Sequence, residues 1–519
     1  MRAPIEGMRL ESLPGAAPVW RALCDRGQWL AACEATAAGG GRLGALWASD
    51  ERDRHGGFSV HALLARYEGL LWLELPLDAP AGGYPDLSVV FPCAKRMQRA
   101  VFDLVGVPAL TRESARLDSR GWLRHGAWQA DTHPLRRELA LDARHAPGDP
   151  RYAFVAVEGD GVHEIPVGPV HAGTIEPGHF RFSIVGERVL RLEQRLGYKH
   201  KGIEKRFESM SLAEGARLAG RVSGDSTVAY AWAYAMAFEA MTGARPGNRT
   251  LRLRALLLER ERIANHLGDL GFIGNDGGLA VGLAQFSRLK EDLLRSNAAL
   301  FGHRYLMDCI VPGGVAADID EAGRERLLAE ADRVEADVRS MRAIYYDHAG
   351  LQDRCINCGR LTPQTAAALG VVGLAARASG NAMDARVHPG IAPYDEFTPR
   401  IASHRNGDVA ARIVVRFEEV LESLLLQRRL LQGLPDGELR VTLADPPADA
   451  RGVGWVEGWR GEVLVALQAG AGGRIRRCHP HDPSWQNWPA LEHAVLGNIV
   501  PDFPLINKSF NLSYAGVDL

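Results

Sequence analysis

The sequence has 519 residues, with 61 lysines and arginines against 63 aspartates and glutamates, and 46% of its residues are hydrophobic. This length allows two to four domains, and the hydrophobic share is ordinary for a globular protein. The balanced charge offers neither the basic excess of a nucleic-acid-binding protein nor the acidic block of a disordered tail.

The first residues, MRAPIEGMRLESLPG, contain no apolar run behind the arginine, so we expect no signal peptide. No stretch reaches the ~18 apolar residues of a spanning helix, so any membrane link is expected to run through partner subunits. The seven scattered cysteines, an odd number in a long chain, predict reduced thiols in the cytoplasm.

Residues 1–140 are predicted to form an α+β domain. GFSVHALLARYEGLLWLELPL alternates around turn residues, and CAKRMQRAVFDLVGV is predicted to be a helix that ends at Gly106. Residues 141–164 are the predicted linker, because LDARHAPGDPRYAF is polar and carries two prolines and a glycine.

Residues 165–519 are predicted to form a large helical bundle with β elements at both of its ends. HFRFSIVGERVLRLEQRL predicts a strand, a turn and a helix, and GEVLVALQAG near the end predicts a strand. Between them, apolar residues recur at three- and four-residue spacing near 212–242, 250–270, 283–305, 320–346, 362–378 and 407–432.

Two cysteine clusters could hold a metal ion. Cys355-Ile-Asn-Cys358 lacks a second CxxC, so two ordinary thiols are preferred to a zinc or iron–sulfur site. Cys478-His-Pro-His481 also lacks a further ligand, and a solvated loop is preferred there.

Other polar residues allow proton chemistry. His171, His179 and His200 lie around Gly/Pro-rich segments, and histidines exchange protons near neutral pH. Glu204, in HKGIEKRFE, is either a buried proton carrier with a raised pKa or an exposed helix charge neutralised by Lys201 or Lys205. The run from Glu259 to His266 is interpreted by default as a solvated or interhelical salt-bridge face.

The chain contains no Walker A sequence, no GxGxxG that opens a βαβ unit, no GxSxG and no HExxH. These absences argue against a bound nucleotide, hydrolase chemistry and zinc peptidase chemistry in this chain.

Several segments in a fixed order carry a family resemblance. GPVHAGTIEPGHFRFSIVGERVLRLEQRLGYKHKGIEKRFE, ERERIANHL, LTPQTAAALGVVGLAARASG, PYDEF, GDVAARIVVRFEE and SFNLSYAGVDL resemble the large subunit of group 4 NiFe hydrogenases and of formate hydrogenlyase. The same fold forms the 49 kDa subunit of complex I, which is NADH:quinone oxidoreductase. FDLVGV and HPLRREL look like the complex I 30 kDa subunit, which implies a fusion of the two subunits.

The metal motifs of that family are altered here. Hydrogenase large subunits hold nickel and iron with four cysteine thiolates, which suit soft, redox-active ions. The first motif reads Arg221-Val-Ser-Gly-Asp-Ser226, and the second falls on Asn511-Leu-Ser-Tyr-Ala-Gly516. Ser223, Ser226, Ser513 and Gly516 therefore stand in the cysteine positions, and we expect no nickel–iron centre and no cofactor bound by this chain.

The resemblance also implies which residues line the vacated cavity. Glu204 matches the glutamate that passes protons to the hydrogenase centre, and Arg460, in Glu457-Gly-Trp-Arg-Gly-Glu462, matches the arginine on the iron side. His179 matches the histidine that contacts quinone in complex I, with His171 as support. Gly224 stands where complex I has a tyrosine, and Tyr230 is a candidate replacement. Asp408 and Arg412 fall in the family's GDVxxR helix and are expected to support the site.

The resemblance implies the large subunit of a membrane-associated complex that couples redox chemistry to proton or ion movement. The implied partners are a 4Fe-4S small subunit, a ferredoxin-like subunit and antiporter-like membrane subunits, on the cytoplasmic face of the membrane. The electron acceptor is quinone or another small molecule, and NAD binding is implied for the complex. The alternative is a non-catalytic scaffold subunit of such a complex.

Overall fold

The computed structural model describes residues 2–54, 56–111, 118, 120–171 and 175–519. The N-terminal part is built on a five-stranded sheet in the order β1-β2-β5-β4-β3. Its strands are β1 Glu11–Leu13, β2 Val19–Leu23, β3 Arg42–Asp50, β4 Phe58–Arg66 and β5 Gly69–Leu77. The central strands are buried along nearly their whole length, which indicates that both faces of the sheet are covered.

Helices cover one face of this sheet. Helix α1 (Arg26–Ala38) begins at a capping box formed by Asp25 and Gln28. Helix α2 (Ala94–Val105) ends at Gly106, whose left-handed backbone confirms the predicted helix end. A short parallel pair, β6 (Tyr84–Pro85) and β7 (Ala109–Leu110), flanks α2.

A second sheet joins the N-terminal part to the bundle, with strands β8 (Val162–Val167), β9 (His179–Val185) and β10 (Arg188–Arg195). The predicted helix after residue 187 is wrong, because this segment pairs with β9 as an antiparallel hairpin. The pairing contains a bulge between Val189 and Arg191, which disturbs the period-two pattern in the sequence. Strand β8 also begins inside the predicted linker.

The bundle contains most of the predicted long helices. Its first helices are α3 Ile203–Phe207, α4 Leu212–Ala219, α5 Thr227–Thr242, α6 Asn248–Asp276, α7 Ala280–Phe301 and α8 Glu321–Asp347. Then follow α9 Ala349–Cys355, α10 Pro363–Leu369, α11 Gly373–Ala378, α12 Tyr394–Phe397 and α13 Val409–Gln432. Between α7 and α8, β11 (Ile310–Val311) pairs with β12 (Gly314–Val315).

Helix α5 is at the centre of the bundle, and every residue from Thr227 to Met241 is buried. Strand β13 lies directly against it: a Cβ atom on Gly454 would stand 1.7 Å from the carbonyl oxygen of Ala233. Only glycine permits this approach, which holds the turn after β13 next to the start of α5.

The chain ends in an antiparallel sheet and three helices. The sheet contains β13 Arg451–Glu457, β14 Glu462–Ala469 and β15 Ile475–His481, and the helices are α14 Ser484–Ala494, α15 Phe503–Phe510 and α16 Ala515–Asp518. The Cys478–His481 segment lies in β15 and is buried, so the predicted solvated loop is wrong. Within the described residues, no helix is both long and apolar enough to cross a membrane.

The segment from Glu259 to His266 is buried inside the bundle. Arg262 contacts Glu259 at 3.2 Å, as the three-residue spacing predicts, and His266 binds Glu419 of α13 at 2.8 Å. Glu259 also accepts a hydrogen bond from Tyr394 at 2.6 Å. The interhelical alternative for this segment is therefore correct, and the solvated one is wrong.

Candidate functional site

The two altered motifs meet in space although about 290 residues separate them. Residues 221–226 lead into α5, and residues 511–516 connect α15 to α16. The Oγ atoms of Ser223 and Ser513 are 2.9 Å apart, within hydrogen-bond distance. The hydroxyl of Ser513 also accepts the backbone N–H of Gly516 at 2.9 Å. Three of the four positions at which the resemblance implies cysteines are thus linked by hydrogen bonds.

Arg460 ties these motifs to the turn between β13 and β14. Its Nη1 atom lies 2.8 Å from Oδ1 of Asp225 and 3.3 Å from Oγ of Ser226. Its Nε atom donates to the carbonyl of Asn511 at 2.6 Å. Burial opposes ionisation of Asp225, but the charge and hydrogen bonds of Arg460 outweigh it and lower the pKa to about 2. The Asp225 side chain remains 36% exposed, so this ion pair lies where the network reaches the protein surface.

Asp482 closes the site from the side of β15. Its carboxylate accepts the hydroxyl of Tyr230 at 2.8 Å and the backbone N–H of Ser484 at 2.8 Å. Burial raises the pKa of Asp482 above its ordinary value, although Arg460 and these hydrogen bonds act against it. A Cβ atom on Gly516 would stand 2.4 Å from Oδ2 of Asp482. Asp482 therefore excludes any side chain, including a cysteine, at position 516.

These residues do not fit a nickel–iron centre. The hydroxyls of Ser223, Ser226 and Ser513 are hard donors already engaged in hydrogen bonds, and Gly516 has no side-chain donor. Among the residues that the structure describes, no three His, Cys, Asp or Glu side chains are grouped so as to hold a metal ion.

Glu204 is buried at the start of α3 but has different partners from those we expected. Its Oε1 atom lies 2.7 Å from both Arg477 and Nδ1 of His479, on β15. Burial would raise the pKa of Glu204, but the charges and hydrogen bonds of these two residues outweigh it and hold the pKa at about 2. The expected raised pKa is therefore wrong. Lys201 and Lys205, the alternative partners, bind the carbonyls of Val222 and Arg136 instead.

The three predicted histidines bind backbone carbonyls. Nδ1 of His179 lies 3.2 Å from the oxygen of Gly168, and Nε2 of His171 lies 2.8 Å from that of Gly178. His200 binds the carbonyl of Asp518 at 2.7 Å. Burial lowers the pKa of His179, so its ring is neutral near pH 7. The hydrogen-bond partners of His179, Gly168 after β8 and Arg181 in β9, thus belong to its own sheet region rather than to the serine network.

The remaining predicted residues have structural contacts of their own. Asp408 caps α13 by accepting the N–H of Ala411 at 2.8 Å. Arg412 donates to the carbonyls of Gly407 and Gly359 and to Oγ of Ser509. Arg221 forms a two-pronged ion pair with Asp308, with both distances 2.7 Å.

Two further predictions concern side chains in and beside the site. Cys355 and Cys358 are buried free thiols, and burial raises their pKa values to about 12 and about 11.

The hydroxyl of Tyr230 donates a hydrogen bond to Asp482. Gly224 is exposed, and a Cβ atom added there would meet its nearest neighbour only at 3.6 Å. A replacement of the missing tyrosine by Tyr230 stays a prediction.

Sequence reasoning missed Glu261, which lies beneath the start of α5. It accepts the backbone N–H of Val228 at 2.7 Å and that of Ala229 at 3.3 Å. Burial is the main cause that raises the pKa of Glu261 to about 8, and the negative charge of Asp225 adds to it. Glu261 lies in the family segment ERERIANHL, which was the only sequence feature that could have pointed to it. The spacing of a charged run does not show which of its side chains are buried.

Comparisons with known proteins agree with the motif order. Residues 276–451 match the family described as respiratory-chain NADH dehydrogenase, 49 Kd subunit, and residues 22–145 match the 30 Kd subunit family. Formate hydrogenlyase subunit 5 of Escherichia coli (strain K12) is 30% identical over 490 residues, which cover 92% of this chain and 85% of the relative. Hydrogenase-4 component G of the same organism is 29% identical and covers 92% and 84%.

Two more distant matches cover the bundle. A subunit of the NADH-quinone oxidoreductase of Dehalococcoides mccartyi is 28% identical over 68% of this chain and 97% of the relative. A chain of the membrane-bound sulfane sulfur reductase, an archaeal respiratory membrane complex, has a TM-score of 0.65 and 23% identity. It covers 69% of this chain and 99% of its own length, which supports the fold alone.

Proposed function

The chain belongs to the family of hydrogenase-related large subunits that includes formate hydrogenlyase subunit 5, and it combines parts that match the complex I 30 kDa and 49 kDa subunits in one polypeptide. From this premise we propose its role in a complex. It acts as the large subunit of a membrane-associated oxidoreductase that receives electrons from a 4Fe-4S partner subunit. It couples their arrival to proton or ion movement without a nickel–iron centre.

The observation that carries this proposal is the polar network in place of the thiolates. Ser223, Ser513, Asp225 and Arg460 are joined by hydrogen bonds and an ion pair where a metal would need soft ligands. Apolar side chains could fill this place without loss of stability, because replacing a buried ion pair by apolar residues is often neutral or stabilising. The retained charges support a site that responds to an arriving electron.

The acceptor in this proposal is quinone or another small molecule that approaches the exposed Gly224 and the partly exposed Asp225. A glycine at position 224 supplies no phenol to bind a quinone, so the acceptor's contacts differ from the complex I pattern. NAD chemistry belongs to a partner, since this chain has no dinucleotide fingerprint. The assembly includes ferredoxin-like and antiporter-like subunits on the cytoplasmic side of the membrane.

Proton handling in this proposal is divided between two places. Glu261 and Asp482 have raised pKa values beside the network and exchange protons near it. Glu204 remains ionised and acts through its partner His479 rather than by taking up a proton itself.

The test uses the assembled complex and two matched aspartates. Asp225 pairs with Arg460 and is 36% exposed, while Asp308 pairs with Arg221 and is 39% exposed. We expect Asp225→Asn to lower electron transfer to a water-soluble quinone analogue at least tenfold in an intact complex, and Asp308→Asn to leave it unchanged. Elemental analysis should find no stoichiometric nickel. A nickel-loaded complex that evolves hydrogen would refute the proposal.

The scaffold alternative is favoured by one observation, the completeness of the hydrogen bonding. The hydroxyls of Ser223, Ser226 and Ser513 all have partners within the chain. A subunit that only holds its neighbours would show equal, unchanged turnover in Asp225→Asn and Asp308→Asn. The same experiment therefore separates the two functions.

A further inference from the structure

A cluster of buried charges lies inside the bundle, next to the turn that carries Arg460. It contains four carboxylates and three guanidiniums: Glu259, Asp384, Glu419, Glu457, Arg262, Arg377 and Arg386. Among the described residues, no further lysine or arginine forms an ion pair with these four acids. If every member were ionised, the cluster would hold one negative charge without a cation. An unbalanced buried charge is costly, and the usual remedy is a proton.

His266 does not supply the missing positive charge. Its Nε2 atom lies 2.8 Å from a carboxylate oxygen of Glu419, and its Nδ1 atom has no hydrogen-bond partner among the described residues. A protonated ring would place a second N–H at Nδ1 with nothing to accept it. Burial lowers the pKa of His266, although Glu419 acts against it. The ring is therefore neutral, and the charge balance calls for a proton on one of the four acids.

Two of the acids are well paired as anions. Asp384 accepts two hydrogen bonds from Arg386, at 3.0 and 2.7 Å. Glu259 lies 3.1 Å from Arg386 and 3.2 Å from Arg262. Each of these acids thus has a two-pronged cation or two cations, which favours its ionised form.

The other two acids share a single cation. Arg377 donates to Glu419 and to Glu457, at 2.7 Å in each case. Glu419 also binds His266, whereas the second oxygen of Glu457 accepts only the backbone N–H of Ala385, at 3.1 Å. Glu457 therefore has the weakest set of partners for a negative charge.

The surroundings of Glu457 also favour its neutral form. The charged side chains near it come from α6, α11, β14 and the segment between α11 and α12: Arg262, Arg377, Glu462, Asp384 and Arg386. Burial raises the pKa of Glu457, and the negative charges of Asp384 and Glu462 add to this effect against Arg377. The nearby charges thus agree with the count of ion pairs.

We propose that Glu457 carries the proton that balances this cluster, and that it thereby sets the charge next to Arg460. Arg460 lies three residues after Glu457, in the turn between β13 and β14. Arg262 holds this turn by donating to the carbonyls of Glu457 and Gly458, at 2.6 and 2.9 Å. The second part rests on the proposed function. A neutral Glu457 leaves the potential at Arg460 positive and favourable to an arriving electron, whereas an ionised Glu457 opposes that electron.

Two matched glutamine variants of the full chain test where the proton lies, without reference to function. Glu457 and Glu419 are both 2% exposed and bind the same guanidinium at the same distance. Glutamine copies a protonated glutamate in shape and charge. Glu457→Gln should match the wild-type denaturant midpoint at pH 4.5 and exceed it at pH 7, because only the unfolded wild-type chain ionises readily above pH 4.5.

Glu419→Gln should behave in the opposite way. The charge of Arg377 and the hydrogen bond of His266 hold the pKa of Glu419 well below 4.5, so its variant should have a lower midpoint than wild type at pH 7. This deficit should shrink below pH 4.5. A Glu457→Gln chain that does not fold, or that is less stable than wild type at pH 7, overturns the proposal.

The effect on Arg460 is tested by the pH profile of the assembled complex. The ratio of Glu457→Gln turnover to wild-type turnover should rise at least twofold from pH 6 to pH 8, because the variant cannot ionise. Glu291→Gln, at an exposed ion pair of α7, should keep a constant ratio. A constant ratio for Glu457→Gln overturns its influence on Arg460. A wild-type complex that passes no electrons would instead refute the proposed function, and the unfolding experiment would still decide where the proton lies.

Discussion

The substitution Glu204→Gln removes one negative charge from a buried cluster and changes little else in shape. Glu204 and Arg477 are both 4% exposed, and Arg477 is left without its carboxylate partner in the variant. The structure holds the pKa of Glu204 at about 2, against an ordinary value of 4.5. This difference corresponds to about 3 kcal/mol of folding free energy, and breaking a buried ion pair by removing one partner typically costs about 3–5 kcal/mol.

The pH dependence of this loss has a defined sign. The folded pKa is depressed, so the stabilisation from Glu204 is fully present above pH 4.5 and is lost as the pH falls from there toward 2. The difference in unfolding free energy between wild type and Glu204→Gln should therefore be constant from pH 7 to pH 5. It should shrink below pH 4.5, because the carboxyl of the unfolded wild-type chain then takes up a proton, whereas the folded one does so only near pH 2.

Denaturant unfolding of the full chain, followed by tryptophan fluorescence at several pH values, measures both quantities. Glu291→Gln is the matched control, since Glu291 pairs with Arg295 and Arg304 on the exposed surface of α7. Its substitution should have a far smaller effect. The assignment of Glu204 as a paired anion would be refuted if Glu204→Gln lost no more unfolding free energy than the control at pH 7. It would also be refuted if the loss of unfolding free energy grew on acidification.

Three further outcomes are expected. The pKa of Glu261 is raised from 4.5 to about 8, so the free energy of unfolding falls as the pH rises between these two values. Glu261→Gln should therefore raise the denaturant midpoint of unfolding at pH 7 but not at pH 4.5. Gly516→Ala should lower the unfolding free energy by about 1–3 kcal/mol because its Cβ meets Asp482, whereas Gly224→Ala, with its nearest neighbour at 3.6 Å, should have little effect. Cysteines introduced at positions 223, 226 and 513 together should not confer nickel binding, as metal analysis of the purified complex would show.

Local patterns in the sequence were sufficient for the long helices of the bundle and for two segments that meet in space. Apolar spacing identified the long helices, and the order of family motifs identified the two segments that meet at Ser223 and Ser513. The second strand of the β9–β10 hairpin was missed because its bulge disturbs the alternation that identifies a strand. The same residues then resemble a helical pattern over one or two turns.

Contacts between distant segments were not predictable from spacing. Glu204 was expected to titrate as an isolated buried carboxyl, but its partners Arg477 and His479 come from a strand about 275 residues later. The polar residues in Cys478-His-Pro-His481 suggested a solvated loop. These histidines are buried because Glu204 and Gln486 supply hydrogen bonds that replace water.

The polar network at the start of α5 has one property that is typical of active sites. Asp225 and Glu261 lie on either side of the start of α5, yet their environments hold one pKa at about 2 and raise the other to about 8. Pairs of acids separated in this way are typical of sites that assign a fixed charge to one group and a mobile proton to the other. A negative charge arriving next to Asp225 would raise the pKa of Glu261 further, because like charges disfavour ionisation. In the proposed function, electron arrival at this network therefore favours retention of a proton on Glu261, and this coupling requires no metal ion.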